Sequence, residues 1–379
     1  MEKIKNKIQM VDLRTQYDKI STEIDQAIKD VILATAFING PEVKAFQTDL
    51  EKYLDVKHVI PCANGTDALQ IAMMALGLKA GDEVITADFT YVATAEVIAL
   101  LGLTPVLVEV NPETFCIDPA AVEKAITPRT KAIVPVHLFG QCAEMEALMA
   151  IATKHHLFVI EDTAQALGAE YTFSNGKKQK AGTIGHVGST SFFPSKNLGC
   201  YGDGGALYTN DETLAKKIKM IANHGQSVQY VHDSIGVNSR LDSIQAAILR
   251  VKLKYLDQYA AARQKAAAFY DKAFANNSHF VIPKRDVHST HVFHQYTLQL
   301  QGVDRTKLRE YLASKDIPAM VYYPIPLHMQ KAYLDPRYKT GDFPITEKLC
   351  STVISLPIHT EMDEEMLTII SNAVLEFVK

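Results

Sequence analysis

Apolar residues at Leu13, Tyr17, Ile20, Ile24, Ile28 and Ile32 recur every three or four positions, the period of one helix face, and Asp12 stands where an N-cap belongs. The pattern predicts an amphipathic first helix that covers an apolar surface elsewhere. After the Asn39-Gly40-Pro41 break, a second helix is predicted through Phe46, Leu50 and Tyr53. Beyond it the period changes. Short apolar runs predict strands at His58 to Cys62, Glu83 to Ala87, Pro105 to Val110, Lys131 to Leu138, Leu157 to Ile160, Ser189 to Phe193 and Gly205 to Thr209. Segments of helical length lie between several of them, at Asp67 to Leu76, Tyr91 to Leu101 and Pro119 to Ala125. This alternation is the signature of βαβ units, so a large, mainly parallel α/β sheet domain is expected.

Near Leu241 the pattern gives way to one long helical stretch, Leu241 to Phe274. Strands are predicted at His291 to Leu300 and Ala319 to Tyr323, and a closing helix from Asp363 to Val378. This tail predicts a smaller C-terminal α+β domain. The division is placed at residues 1–245 and 246–379, with the first helix able to pack on the smaller domain. A length of 379 residues agrees with two domains.

Composition narrows the function classes. With 47% apolar and 22% charged residues the chain matches soluble globular proteins. The 39 basic and 43 acidic residues give a net charge of -4 with no long block of either sign, which argues against a nucleic-acid partner. Apolar runs such as Val97 to Leu103 fall short of the ~18 residues a spanning helix needs. Met1 to Lys5 are not followed by a signal-peptide core, so a cytoplasmic protein with no membrane partner is expected. Cys62, Cys116, Cys142, Cys200 and Cys350 are odd in number and scattered, as buried apolar residues rather than zinc ligands or disulfides. His288, His291 and His294 recur every third residue but run into the strand-like Val292 to Leu300, where that spacing does not face one ion; no metal is expected.

In an open α/β sheet, ligands bind beyond the carboxyl ends of the strands, so the polar residues after each apolar run are the candidates. Four such corners stand out. At Ala63-Asn64-Gly65-Thr66-Asp67, glycine allows close backbone approach, and the free amides of a helix start with the Thr66 hydroxyl suit a phosphate. An ordinary N-cap by Asn64 or Thr66 is the competing reading. Asp162, in Glu161-Asp162-Thr163-Ala164-Gln165, follows a strongly apolar strand and is placed to pair with a cationic heteroaromatic nitrogen, with Gln165 in reach of a second ring atom; a helix cap explains it equally well. Lys196 sits between the aromatic Ser191-Phe192-Phe193 run and the glycine-rich Gly199 to Gly205 loop, where desolvation favours the neutral amine that imine formation needs. Arg240, in Gly236 to Asp242, presents a fork suited to carboxylate or phosphate, or to a surface ion pair with Asp242. A phosphate loop, a ring-pairing acid and an imine lysine, in that order and each after its own strand, are what a pyridoxal phosphate site of this architecture requires.

At these residues the chain resembles the DegT/StrS family of nucleotide-sugar aminotransferases, of the aspartate-aminotransferase-like fold (pyridoxal phosphate fold type I). The resemblance runs from Asp12-Leu13 and Gly40 through Asn64 to Leu69, Gly81 to Ile85, Val136 to Gly140, Glu161-Asp162 and Ser191 to Asn197. It ends at Tyr323 to His328 and Ser355 to Pro357. It implies that Lys196 forms the imine with pyridoxal phosphate and serves as catalytic base, that Asp162 pairs with the ring nitrogen, that Gln165 contacts the ring hydroxyl and that Tyr91 stacks on the ring. Gly65, Thr66 and Ser191 would hold the phosphate. Asn238 would reach it from a neighbouring subunit, making a homodimer with shared sites. Family members that dehydrate sugars carry histidine at the lysine position, so Lys196 points to transamination.

The resemblance further implies ping-pong transfer from glutamate to a nucleotide-linked keto-sugar, in a pathway such as lipopolysaccharide or other surface polysaccharide synthesis. Gly236 to Asp242 and Tyr322-Tyr323-Pro324 are most similar to the subgroup that aminates C3 of UDP-2-acetamido-2-deoxy-3-oxo-glucuronic acid, where Arg240 would meet the sugar carboxylate and Tyr322, Tyr323 and His328 would contact the substrate. Tyr322 stands where that subgroup has histidine. Arg240 could equally serve glutamate or a nucleotide phosphate. Two alternatives remain: a dTDP-linked 3- or 4-keto-6-deoxy sugar, and a non-catalytic regulatory protein of the same fold, which would be expected to lose Lys196 or Asp162. A dinucleotide oxidoreductase is set aside, because Gly202-Asp203-Gly204-Gly205 lacks the GxGxxG spacing and leads into a strand.

Overall fold

The computed structural model describes residues 7–379; Met1 to Lys5, read above for targeting, lie outside them. The Asp12 carboxylate caps helix α1 (Leu13–Ala34) by accepting from the Thr15 amide at 2.9 Å. Helix α2 (Pro41–Leu54) opens on proline, whose missing N–H is an orphan position anyway, and sinks Phe46, Leu50 and Leu54 into the core. Strand and helix then alternate: β1 (His58–Cys62), α3 (Gly65–Ala75), β2 (Glu83–Ala87), α4 (Ala93–Leu100), β3 (Thr104–Val108), α5 (Pro119–Ala125), β4 (Thr130–Val134), α6 (Met145–His155) and β5 (Phe158–Asp162). A short ribbon, β6 (Glu170–Thr172) and β7 (Lys178–Lys180), leads to β8 (Val187–Ser191), β9 (Gly205–Thr209) and α7 (Glu212–Ala222).

These strands form a seven-stranded sheet in the order β1-β9-β8-β5-β4-β2-β3. Neighbours pair in parallel except at β9, which runs antiparallel to β1 and β8. Every position of β2 and β9 is buried, as in a sheet covered on both faces. On one face Ile71, Val97 and Ile218, from α3, α4 and α7, share a core with Val84, Ile160 and Leu207. On the other, Val122 and Leu148, from α5 and α6, pack with Ile85, Ile133 and Val159.

The chain continues through a ribbon, β10 (Gln226–Val228) and β11 (Val231–His232), to α8 (Ser243–Leu253) and α9 (Leu256–Phe274). The long predicted helix is therefore two, separated at Lys254-Tyr255. They serve different cores. In α8, Ala246 and Leu249 pack with Phe46, Phe192 and Tyr208, whereas Tyr270 and Phe274 of α9 pack with Tyr296, Leu298 and Ile354. The remainder is β12 (Phe280–Val281), β13 (Tyr296–Leu300), α10 (Arg305–Ser314), α11 (Pro344–Thr352), β14 (Val353–Leu356) and α12 (Glu364–Phe377), with β12-β13-β14 as an antiparallel sheet.

Three expected strands are corrected. Of His291 to Leu300 only β13 is strand; its first half is tied to the loop after β4, the Val292 amide donating to the Gly140 carbonyl at 2.8 Å. Ala319 to Tyr323 contributes only a bridge from Met320 to Ser355, and the third strand is β14, whose fully buried Val-Ile-Ser-Leu shows no alternation to read. Lys131 to Leu138 ends as strand at Val134, because Pro135 has no N–H for the ladder; beyond it only Val136 bridges to Asp162. Helix α1 spans both parts: Ile20 and Ile24 pack on Ile248 and Val251 of α8, while the Gln16 amide donates to the Thr360 hydroxyl at 3.2 Å. Among the described residues no helix is long and apolar enough to cross a membrane, and no cluster of three metal-ligating side chains occurs.

Candidate active site

The site grows from the carboxyl ends of β5 and β8 and the start of α3. Asn64 caps α3, its side-chain oxygen accepting from the Asp67 amide at 2.8 Å, which leaves the Gly65 and Thr66 amides without an intrahelical carbonyl. Such a helix start is a ready anion site. Close packing explains the glycines: a Cβ at Gly65 would lie 2.6 Å from the Ser191 Cβ, and one at Gly205 only 2.5 Å from the Asn64 carbonyl. The helix start thus seats directly on the β8–β9 ends. There the half-buried Ser191 hydroxyl accepts from the Phe193 amide at 3.2 Å and keeps its own proton to donate.

Asp162 closes β5 and is 7% exposed. One carboxylate oxygen accepts from the Ala164 amide at 3.0 Å, the other from the Thr94 hydroxyl at 3.3 Å. Burial pushes this carboxyl's pKa up, against those bonds and the Lys196 charge. The preceding Glu161 is wholly buried. It accepts from the amides of Gly182, Ile184 and Gly185 and from His137 Nε2, at 2.8, 2.7, 2.5 and 2.9 Å. Because His137 Nδ1 accepts from the Ala143 amide at 3.0 Å, the ring proton sits on Nε2. Alternation along β5 makes Glu161 the anchor and turns Asp162 the other way.

Gln165 accepts from the Phe139 amide at 2.8 Å through Oε1 and donates to the Tyr323 hydroxyl at 3.0 Å through Nε2, which leaves one amide hydrogen uncommitted. Tyr323 lies 6.1 Å, centroid to centroid, from both Phe89 and Tyr91, and 6.0 Å from Tyr322. Tyr91 is 57% exposed, so its ring borders open space.

Lys196 follows a tight turn in which its amide donates to the Phe193 carbonyl at 2.8 Å. Its side chain makes no ion pair with a described residue. Burial brings its pKa down to about 8, opposed only by the Asp162 charge. Two contacts brace its loop: the Asn197 amide donates to the Val292 carbonyl at 3.0 Å, and the buried Lys252 ammonium donates to the Gly199 carbonyl at 2.5 Å. His294 is buried, with Nδ1 unpartnered; burial and then the Lys196 charge hold its pKa well below the usual histidine range.

Gly65, Thr66, Asp162, Gln165, Ser191 and Lys196 thus occupy neighbouring strand and helix ends, with Tyr91, Tyr322 and Tyr323 joined through Gln165. Three predicted residues stand apart. His328 is 3% exposed, with Nδ1 2.6 Å from the Asp88 carboxylate and its amide donating to the same group at 2.8 Å, while its Nε2 has no hydrogen-bond partner among the described residues and lies 3.5 Å from Glu347. Asn238 is exposed and Arg240 half-buried. The Arg240–Asp242 ion pair, the competing reading of this corner, is absent; Asp242 caps α8 by accepting from the Gln245 amide at 2.8 Å. Between them Ser239 is buried, accepting from the Ala63 amide at 3.0 Å. Thr94, Glu161, His137 and Lys252 were missed. Only Glu161, adjacent to Asp162 on an apolar strand, carried any local signal.

The DegT/DnrJ/EryC1/StrS aminotransferase family model matches residues 18–375. The chain is similar to the UDP-2-acetamido-2-deoxy-3-oxo-D-glucuronate aminotransferase of Pseudomonas aeruginosa, at 46% identity over 97% of this chain and 99% of that protein. It is similar to the pleiotropic regulatory protein of Geobacillus stearothermophilus, also at 46% identity, over 98% of each. Its fold is similar to the crystal structure of NtdA from Bacillus subtilis with bound cofactor PMP, with a TM-score of 0.87 and 32% identity over 97% of this chain and 83% of that one.

Proposed function

Because the chain belongs to the DegT/DnrJ/EryC1/StrS aminotransferase family, we propose that it transfers an amino group from glutamate, by way of pyridoxal phosphate, to C3 of UDP-2-acetamido-2-deoxy-3-oxo-glucuronic acid. The residues present fit the cofactor: an amide-lined glycine cradle for a phosphate, a buried carboxylate for a ring nitrogen, and an unpaired, desolvated amine. Bound there, pyridoxal phosphate supplies the carbonyl that takes up an amino group and the ring that takes up an electron pair.

The chain supplies the rest. The α3 amides with Gly65, Thr66 and Ser191 hold the phosphate, and Tyr91 covers one ring face. Gln165 offers its free amide hydrogen to the ring hydroxyl. Asp162 keeps the proton on the ring nitrogen. Lys196 would bind the cofactor through its amine and, with that amine free, would take up the proton lost from the donor's Cα. The desolvated Lys196 amine beside the buried Asp162 carboxylate is the observation that carries this assignment.

Arg240 is proposed to meet the sugar carboxylate, with Tyr322 and Tyr323 beside the sugar. That it makes no ion pair among the described residues favours an acidic sugar over a dTDP-linked 6-deoxy sugar, which offers no carboxylate. His328 is proposed to serve the substrate side through Nε2, its Nδ1 being held by Asp88. A homodimer is proposed to complete each site through Asn238. Exposed apolar side chains at Ile32, Leu33, Phe37, Ile38, Tyr230 and Ile235 support such an interface. The regulatory name of one relative favours no second reading, because Lys196 and Asp162 are both in place.

The test is a visible spectrum of the protein with pyridoxal phosphate, before and after glutamate, repeated with Lys196→Ala. Conversion of the yellow form by glutamate in the wild type alone is expected. Absence of any band in the wild type overturns the proposal.

A further inference from the structure

The Asp162 carboxylate is fixed at two points of different origin. The Ala164 amide bonds one oxygen from two residues further along the same turn, a local arrangement that any aspartate here can make. By itself that bond leaves the carboxylate free to swing about it. The second point comes from a distant element: the hydroxyl of Thr94, 68 residues away in sequence, meets the other oxygen at 3.3 Å in a buried contact. An ionised carboxylate only accepts, so Thr94 donates. Its side chain is 1% exposed, and its hydroxyl reaches across to β5 rather than back to the carbonyl one helical turn earlier. Thr94 lies in the first turn of α4, whose N-cap is Val92.

We propose that Thr94 is a positioning residue for the transamination: its hydroxyl sets the orientation of the Asp162 carboxylate. The inference rests on the reading of Asp162 as partner of the cofactor's ring nitrogen. In an apolar helix a threonine reads as filler, and nothing in the local sequence marks it.

Without the Thr94 donor, Asp162 is a less stabilised carboxylate and draws the ring proton toward itself. A ring carrying less positive charge disfavours protonation of the lysine-bound cofactor less, so the pH midpoint of its visible band moves up. The experiment uses the holoenzyme with Thr94→Val, which keeps the shape and removes the hydroxyl, and Thr94→Ser, which restores it. Expected for Thr94→Val are an upward shift of that midpoint and a roughly tenfold slower conversion by saturating glutamate, the low end for a hydrogen bond to a charged group. The apparent glutamate affinity should be unchanged, and Thr94→Ser should recover most of both losses. A Val variant with wild-type midpoint and rate overturns the role of Thr94 alone. A Ser variant as impaired as the Val variant, with matching thermal destabilisation, also overturns it, since packing then explains both. A wild type without the visible band overturns the reading of Asp162 and this inference with it.

Discussion

Asp162, at the end of β5, and Arg240, in the loop before α8, are both charged, yet the fold treats them in opposite ways. Asp162 is held by two hydrogen bonds, and its strand is anchored by Glu161, which collects four donors of its own. Arg240 has no ion pair among the described residues, and Asn238 near it is exposed. The groups proposed to hold the cofactor ring are preorganised within one chain; the phosphate contact of Asn238 is proposed to come from a second subunit, and Arg240 is proposed to wait for the sugar. Preorganisation around a ring that never changes identity favours rate, whereas unpaired groups in the sugar half leave specificity to the ligand.

The comparison breaks most readily at Lys196. Lys196→Ala should abolish the visible band and lower turnover by on the order of 10²–10⁴-fold for the lost proton transfer alone, with the melting temperature retained; near-normal glutamate-dependent amination would refute the assignment. Asp162→Asn comes next. An amide is a poor partner for the ring proton, so the glutamate half-reaction should slow by roughly a hundredfold, measured by single-turnover spectroscopy.

Arg240→Ala tests the open half. It should raise KM about tenfold for a carboxylate-bearing keto-sugar nucleotide and leave a neutral one unchanged; equal losses on both would give Arg240 another role. The smallest effect is one of pH. The neutral amine is the reactive form, and burial lowers the Lys196 pKa to about 8. Reconstitution of the cofactor-free protein should therefore speed up as pH rises and level off above about 8. An ordinary lysine, titrating at ~10.4, would still be gaining rate at pH 9.

What could be read in advance follows sequence distance. Asn64-Gly65-Thr66 was legible because cap, glycine and helix start are consecutive, and Lys196 because an aromatic strand and a glycine loop flank it. The Asp162–Thr94 bond spans 68 residues, the Lys252–Gly199 bond 53 and the His137–Glu161 pair 24, and none leaves a local trace. His328 adds to this: its motif marked it for the site, but that Asp88, 240 residues away, holds its Nδ1 is visible only in the fold.

By itself the sequence determined the βαβ alternation, the capped first helix and the four polar corners, because periodicity, capping and turn chemistry act over a few residues. Tertiary structure decided where the long helix divides, that β14 rather than Ala319 to Tyr323 completes the small sheet, and which polar atoms stay free for chemistry. Those outcomes depend on burial and on partners brought together by packing. Whether Asp162 is held and Arg240 left open is a property of the folded neighbourhood, which no window along the chain contains.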